Sequence, residues 1–265
     1  GRSDPRVHVA RCDFEGRAIV FQLYGPGETI EPHFEAGAAA CQRALDLDRD
    51  TPEAWRLLSE LHMRQAESIG GDTVAGRQAL ERASDAAQEA LRRAPDDAVA
   101  WRSLGHIQSV DADARLGLGR DATAPLERLI TSYSEAYRLA PGEVSTTNAL
   151  GNAYSMRAEN AFAAGDDGTT DIERAIELYE QVLELDPSPG WRSNLALAHA
   201  RRALFEVSQG LDPSRALAAG LTEQRRSLAN NPMQSNGLSN LIQLETLAAQ
   251  AALGRGEAPV PALLR

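Results

Sequence analysis

A chain of 265 residues with 43% apolar, 25% charged and 5% aromatic residues lies in the range of folded globular proteins, which excludes disorder and collagen-like structure. Its 27 basic and 38 acidic residues leave a net charge of −11, which opposes a nucleic-acid backbone or an anionic membrane as partner, and no apolar run approaches the ~20 residues of a membrane span. All 27 basic residues are arginine, so a Gly-Lys-Ser/Thr phosphate loop, a Schiff-base enzyme and a protein kinase, each needing a lysine, are excluded within this chain.

The chain opens Gly1-Arg2-Ser3-Asp4 with no initiator Met or apolar signal region, as a fragment of something longer would. Val7 to Tyr24 is expected as a first helix, although the branched and aromatic residues from Ile19 onward also suit a strand. Cys12 and Cys41 allow at most one bridge; they are read as two buried free thiols, which suits a reducing, cytoplasmic setting. A helix over 31–47 follows, then pairs at 52–69 and 74–94, 97–115 and 123–140, 143–164 and 170–186, and 189–208 and 213–230. A last helix spans 235–253, before an irregular tail with Pro259 and Pro261. Gly and Asp clusters divide the two helices of each pair, at Gly25-Pro26-Gly27, Gly70-Gly71-Asp72, Gly117-Leu118-Gly119, Gly165-Asp166-Asp167-Gly168 and Gly210-Leu211-Asp212-Pro213. Prolines 95, 141, 187 and 232 separate one pair from the next.

These elements repeat. Ala54-Trp55-Arg56-Leu57-Leu58, Ala100-Trp101-Arg102-Ser103-Leu104 and Thr146-Thr147-Asn148-Ala149-Leu150 place their last leucines 46 residues apart; Leu195 follows after 45 and Leu241 after 46 more. Trp101, Leu104 and Gly105, then Leu150, Gly151 and Tyr154, with Ala175, Tyr179 and Pro187, resemble the tetratricopeptide signature. The usual unit has 34 residues, so about 12 are inserted between the helices here. The resemblance implies an all-α superhelical solenoid of ten or eleven antiparallel helices, running 1–265 as one array: an initial helix and loop over 1–30, repeat helices over 31–253 and a tail over 254–265. Small residues Ala83, Ala90, Ala136 and Ala175 would let axes approach, with Trp55 and Trp101 filling the space beside them at ~3–5 kcal/mol each.

Nothing in the sequence carries chemistry, and neither enzyme activity, cofactor nor metal is expected. His8, His33, His62, His106 and His199 lack zinc-site spacing, and His62 and His199 fall at packing positions. Gly117 to Ala122 imitates a dinucleotide fingerprint but follows a helix rather than a strand, and Asp166 to Asp171 lacks the register of a calcium loop. No Gly-x-Ser-x-Gly elbow occurs.

The function implied by the resemblance is binding of a protein or peptide in a concave groove lined by the first helix of each pair. Positions two before, two after and five after the repeated leucine would face it, giving Arg56, Glu60, Met63, Arg102, His106, Ser109, Asn148, Asn152, Ser155, Ser193, Leu197, Ala200, Ser239 and Gln243. The arginines suit charge-assisted bonds to polar or acidic segments, and an asparagine can bond an extended backbone through donor and acceptor together. The expected state is a monomer, with a homodimer through Leu241, Leu244 and Leu247 of the last helix as the alternative. The stretch from Tyr24-Gly25-Pro26-Gly27 to Glu31-Pro32-His33-Phe34-Glu35, with Ala44-Leu45-Asp46-Leu47, also resembles repeat regions that follow bacterial serine/threonine kinase domains. That implies a sensing or substrate-recruiting region of a larger signalling protein. The lysine-free, Ala- and Arg-rich composition suits a bacterium with a GC-rich genome.

Overall fold

The computed structural model describes residues 4–23, 29–232 and 235–256. They form eleven helices and no strand: α1 (Pro5–Leu23), α2 (Glu31–Leu47), α3 (Pro52–Ile69), α4 (Val74–Arg93), α5 (Ala98–Gly117), α6 (Thr123–Leu139), α7 (Val144–Ala164), α8 (Thr169–Leu185), α9 (Pro189–Ser208), α10 (Ser214–Asn230) and α11 (Ser235–Gly254). The ambiguous first segment is helical. Tyr24 with the Gly25-Pro26-Gly27 loop, and the tail beyond Gly256, lie outside the described residues.

Local chemistry sets the boundaries. Gly70 and Gly165 end α3 and α7 at φ of +85° and +82°, a region L side chains rarely adopt. Asp97 accepts from the Val99 and Ala100 N–H groups at the start of α5, and the Asp167 and Asp212 carboxylates accept from the Thr169 and Ser214 N–H groups. The backbone donors left unpaired at a helix start are met by these side chains. Asp167 and Asp171, in the stretch that lacks the register of a calcium loop, serve the fold, since Asp167 caps α8 and Asp171 receives two 2.7 Å bonds from the Arg157 guanidinium.

The helices divide into two compact units at Ala140-Pro141, where the sequence reading places only another repeat turn. In unit 1, α1 packs on α2, α3 on α4 and α5 on α6; in unit 2, α7 packs on α8, α9 on α10, and α11 against α10 and α9. Equivalent positions are buried in successive first helices: Ala54, Ser59, Leu61 and Ala66 in α3, then Ala100, Gly105, Ile107 and Ala112 in α5. In unit 2 they are Thr146, Gly151, Ala153 and Ala158 in α7, then Ala196, Ala198 and Ala203 in α9. Leu244 and Leu247 of α11 are buried in the cluster of α9 and α10, which corrects the expectation that they are available for a second copy.

Glycine lets two of the pairs close, α5 on α6 and α7 on α8. A Cβ on Gly105 would meet the Tyr133 ring at 2.7 Å, and one on Gly151 the Tyr179 ring at 2.9 Å. The buried tyrosines of the second helices therefore fill the space that the sequence assigns to tryptophan. Trp55 and Trp101 are only half-buried, and their indole N–H groups donate to the Arg49 and Pro95 carbonyls at 3.0 and 2.8 Å, pinning the preceding turn. The indole of Trp191 likewise donates to Asp186.

The cysteines overturn the free-thiol expectation. Cys12 of α1 and Cys41 of α2 are joined in a disulfide with a Cα–Cα distance of 5.4 Å, both fully buried. The argument for a reducing compartment rests on free thiols and loses that support. One turn along α1, Glu15 is 3% exposed and accepts 2.6 Å bonds from the Arg11 guanidinium and the His33 ring. Burial alone would raise its carboxyl pKa, but the bonds from His33 and Arg11 outweigh it and hold Glu15 below its ordinary value. A depressed folded pKa gives stability that is present above the unfolded value of 4.5 and is lost as pH falls through the folded one. Glu15→Gln is expected to cost about 1–3 kcal/mol at neutral pH. In urea unfolding, its difference from the parent shrinks toward zero as the pH falls below 4.5 and through the depressed folded value; a deficit that persists once the carboxyl is protonated contradicts the assignment.

Candidate interaction faces

The first helices of each unit turn one face outward, and the predicted residues distribute on it unequally. In unit 1, Arg56 is 20% exposed at its side chain; it donates to Glu60 at 2.7 Å and lies 3.9 Å from Asp97, the cap of α5. Arg56 therefore links α3 to α5 as well as facing outward. His106 is 42% exposed at its side chain, with Nε2 3.7 Å from Glu67; burial of the ring lowers its pKa, partly offset by Glu67. Arg102 is half-buried on the same helix. Met63, by contrast, is buried at 3% exposure and belongs to the core.

In unit 2, Asn152 is exposed and its Oδ1 accepts the Tyr179 hydroxyl at 2.6 Å; burial pushes that phenol's pKa up, so the donor stays neutral. Asn148 is half-buried and accepts from Asn194 of α9 at 2.8 Å. Ser155 is fully buried and accepts from Arg201, so it serves the α7–α9 contact and not an outer face. Three residues beyond Asn152 is about 300° around the helix, which turns Ser155 toward the neighbour. Ser193 is buried against Ser227 and Gln224 of α10 and Ala200 in the cluster of α9, α10 and α11, whereas Ser239 and Gln243 are exposed.

Two features escape the sequence reading. On α1, Val7, Phe14 and Phe21 are 63%, 61% and 74% exposed at seven-residue spacing, an apolar row in register with Glu53, Glu60 and Glu67 of α3. Subtracting the period from Glu60 would have found Phe14. In unit 2 a cleft of about 500 Å³ opens beside α8, α9 and α10, lined by Glu173, Glu177, Glu206, His199, Arg202 and Arg215 among others. Arg202 bonds Glu206 there at 3.0 Å and pairs with Glu173 at 3.1 Å, while burial holds the His199 pKa down. His62 packs edge-on against Phe34 at 5.5 Å, as a core position would.

The described residues contain no cluster of His, Cys, Asp or Glu that could hold a metal ion, and no helix long and apolar enough to cross a membrane. No protein-family model and no curated protein matches the chain. Solved structures do. A thermophilic TPR protein from Thermus thermophilus aligns over 89% of this chain and 98% of its own, at 17% identity and TM-score 0.51. The fold is a tetratricopeptide-type helical solenoid. MamA protein aligns over 86% of this chain and 94% of its own, at 15% identity and TM-score 0.53. YrrB, described as a TPR protein with an unusual peptide-binding site, aligns over 78% and 83%, at 13% identity and TM-score 0.52. At such identities the likeness concerns the tetratricopeptide-type fold and not the residues on its faces.

Proposed function

We propose that this chain is a non-catalytic scaffold, with lengthened repeats of about 46 residues, that holds a protein or peptide segment on the outward faces of its first helices. The observation that carries the reading is the α1 row of Val7, Phe14 and Phe21, exposed in register with the mixed Glu60 and Arg56 row of α3. Apolar anchors beside charged side chains are what a peptide-binding surface needs: burial supplies affinity, and the polar groups fix orientation. YrrB, with its unusual peptide-binding site, supports the same use of the fold.

The test is capture of a partner from source cells with the intact chain, followed by mass spectrometry. Phe14→Glu in unit 1, and Arg102→Glu combined with Asn152→Ala, are each expected to reduce recovery of a reproducible partner at least tenfold, a loss of about 1.4 kcal/mol or more. Circular dichroism should be unchanged. Recovery equal to the parent's in both variants would remove the faces from the function. The second reading, a recruiting region of a larger bacterial signalling protein, rests on the resemblance of residues 24–35 with 44–47 and is decided by the length of the captured native polypeptide. A catalytic domain on that polypeptide would establish it.

A further inference from the structure

The cleft of unit 2 opens where one helix pair lacks side chains that the preceding pair carries. A shift of 45 residues sets α7 and α8 in register with α9 and α10, placing Leu150 on Leu195, Arg157 on Arg202 and Asp171 on Ala216. In the earlier pair the Arg157 guanidinium lies over the Tyr154 ring at 5.5 Å and closes on Asp171 with two 2.7 Å bonds. In the later pair His199 stands for Tyr154, Ala216 for Asp171 and Ala219 for Arg174, and about 500 Å³ is left open. Arg202, with no carboxylate opposite it on α10, turns to Glu173 at 3.1 Å and Glu206 at 3.0 Å. The cleft is separate from the outward face of the first helices: at 3.6 residues per turn, His199, Arg202 and Glu206 lie about 140–200° around α9 from Leu197, the counterpart of Asn152.

The charges of the cleft are only partly matched. Glu206 holds Arg202 through Oε1, while its Oε2 is buried without a hydrogen-bond partner. A buried carboxylate oxygen left unpaired is costly, and a donor supplied by a ligand removes that cost. Among the described residues, Glu180 of α8 and Arg215 of α10 also line the cleft without an ion-pair or hydrogen-bond partner. Two open acceptors and one open guanidinium thus stand beside an apolar flank of Ile176, Ala216 and Ala219. His199 adds no charge at neutral pH, because burial lowers its pKa.

We propose that the cleft holds a ligand with a guanidinium at one end of a short aliphatic chain and a carboxylate at the other: arginine, free or as the last residue of a peptide. Its carboxylate pairs with Arg215 in the two-pronged geometry that guanidinium groups favour. Its own guanidinium, a planar fork of N–H donors, serves Glu180 and the open oxygen of Glu206 together, and its methylenes lie along Ile176, Ala216 and Ala219. A simple cation leaves Arg215 unmatched, and a simple carboxylate leaves both acceptors unmatched, so the charge pattern selects a ligand that carries both groups. The volume falls within the ~300–1,000 Å³ of small-molecule sites.

Isothermal titration of L-arginine into the whole chain should show one saturable site with a dissociation constant below about 1 mM. L-Citrulline, in which a neutral urea replaces the guanidinium, and agmatine, which lacks the carboxylate, should each bind at least tenfold more weakly. Arg215 is exposed, so Arg215→Ala should leave circular dichroism unchanged; it should weaken L-arginine at least tenfold and agmatine not at all. Glu206→Gln should weaken both, and Asp50→Asn, a control at a side chain 90% exposed in unit 1, neither. Nα-acetyl-L-arginine separates the two sources: binding at least as tight as that of L-arginine assigns the site to the last residue of a peptide, and weaker binding assigns it to the free amino acid. The proposal is overturned by the absence of saturable binding of both compounds, by agmatine or L-citrulline binding as tightly as L-arginine, or by an Arg215→Ala variant that binds L-arginine as the parent does.

Discussion

Tyr179→Ala is expected to lower the unfolding free energy by about 3–5 kcal/mol, the usual range for a buried aromatic truncated to alanine. The ring is 2% exposed, seated where a Cβ on Gly151 would come within 2.9 Å, and its hydroxyl donates to Asn152. Truncation leaves a cavity between α7 and α8 and removes a donor from Asn152. The contributions can be separated: Tyr179→Phe keeps the packing and should cost only about 0.5–1.5 kcal/mol. Gly151→Val drives a side chain into the ring and should cost about 1–3 kcal/mol by overpacking. Urea unfolding followed by circular dichroism gives all three values, and a Tyr179→Ala variant within about 1 kcal/mol of the parent, a roughly fivefold change in the equilibrium, contradicts the packing account.

The second large effect belongs to the disulfide. Cys12 and Cys41 are 29 residues apart in sequence, and closing a loop of that size restricts the unfolded chain by about 3–4 kcal/mol in the chain-entropy description. Replacing both cysteines with alanine is therefore expected to lower stability by that amount, chiefly in unit 1, where α1 and α2 pair. Alkylation under denaturing conditions supplies the chemical check. Without reductant the chain should take up no label, and after reduction it should take up two. Two labels without reductant, or a double variant as stable as the parent, would show that the bond does not hold the pair together.

Most of the helix map is legible, because several signals coincide at most boundaries: an apolar stripe ends, a proline or glycine stops it, and a side chain such as Thr73 or Asp97 caps the next helix. The Gly70 and Gly165 ends and the Asp97 cap lie within one or two residues of where the sequence places them. Side-chain partners are less legible. The period sets Cys41 in register with Tyr133 and Tyr179, the residues that close on glycines of the preceding helix. Applied to the cysteines, that register sets Cys41 opposite Asp13, one residue from Cys12, and the common fate of cysteine as a small buried hydrophobe points away from a bond. Trp55 is misjudged because the signature gives residue type and not depth; its N–H needs an acceptor, which the Arg49 carbonyl at the edge of the packing provides. Counting along one helix alone places Ser155 on the outer face. Its burial depends on Arg201 of α9, a residue that single-helix counting does not consult. The exposed apolar row of α1 is missed for the converse reason: an apolar helix face reads as core until the neighbouring helices are placed.

The outward faces of the first helices are proposed to hold a protein partner, and site-specific photocross-linking in source cells tests this most directly. The photoreactive residue is placed singly at Glu60, at Asn152 and, as a control, at Arg128 on the second helix α6, which is 57% exposed. The account predicts a discrete cross-linked protein from Glu60 or Asn152 and none from Arg128. Equal cross-linking from Arg128, or none from either face position while Arg128 reacts, would contradict it.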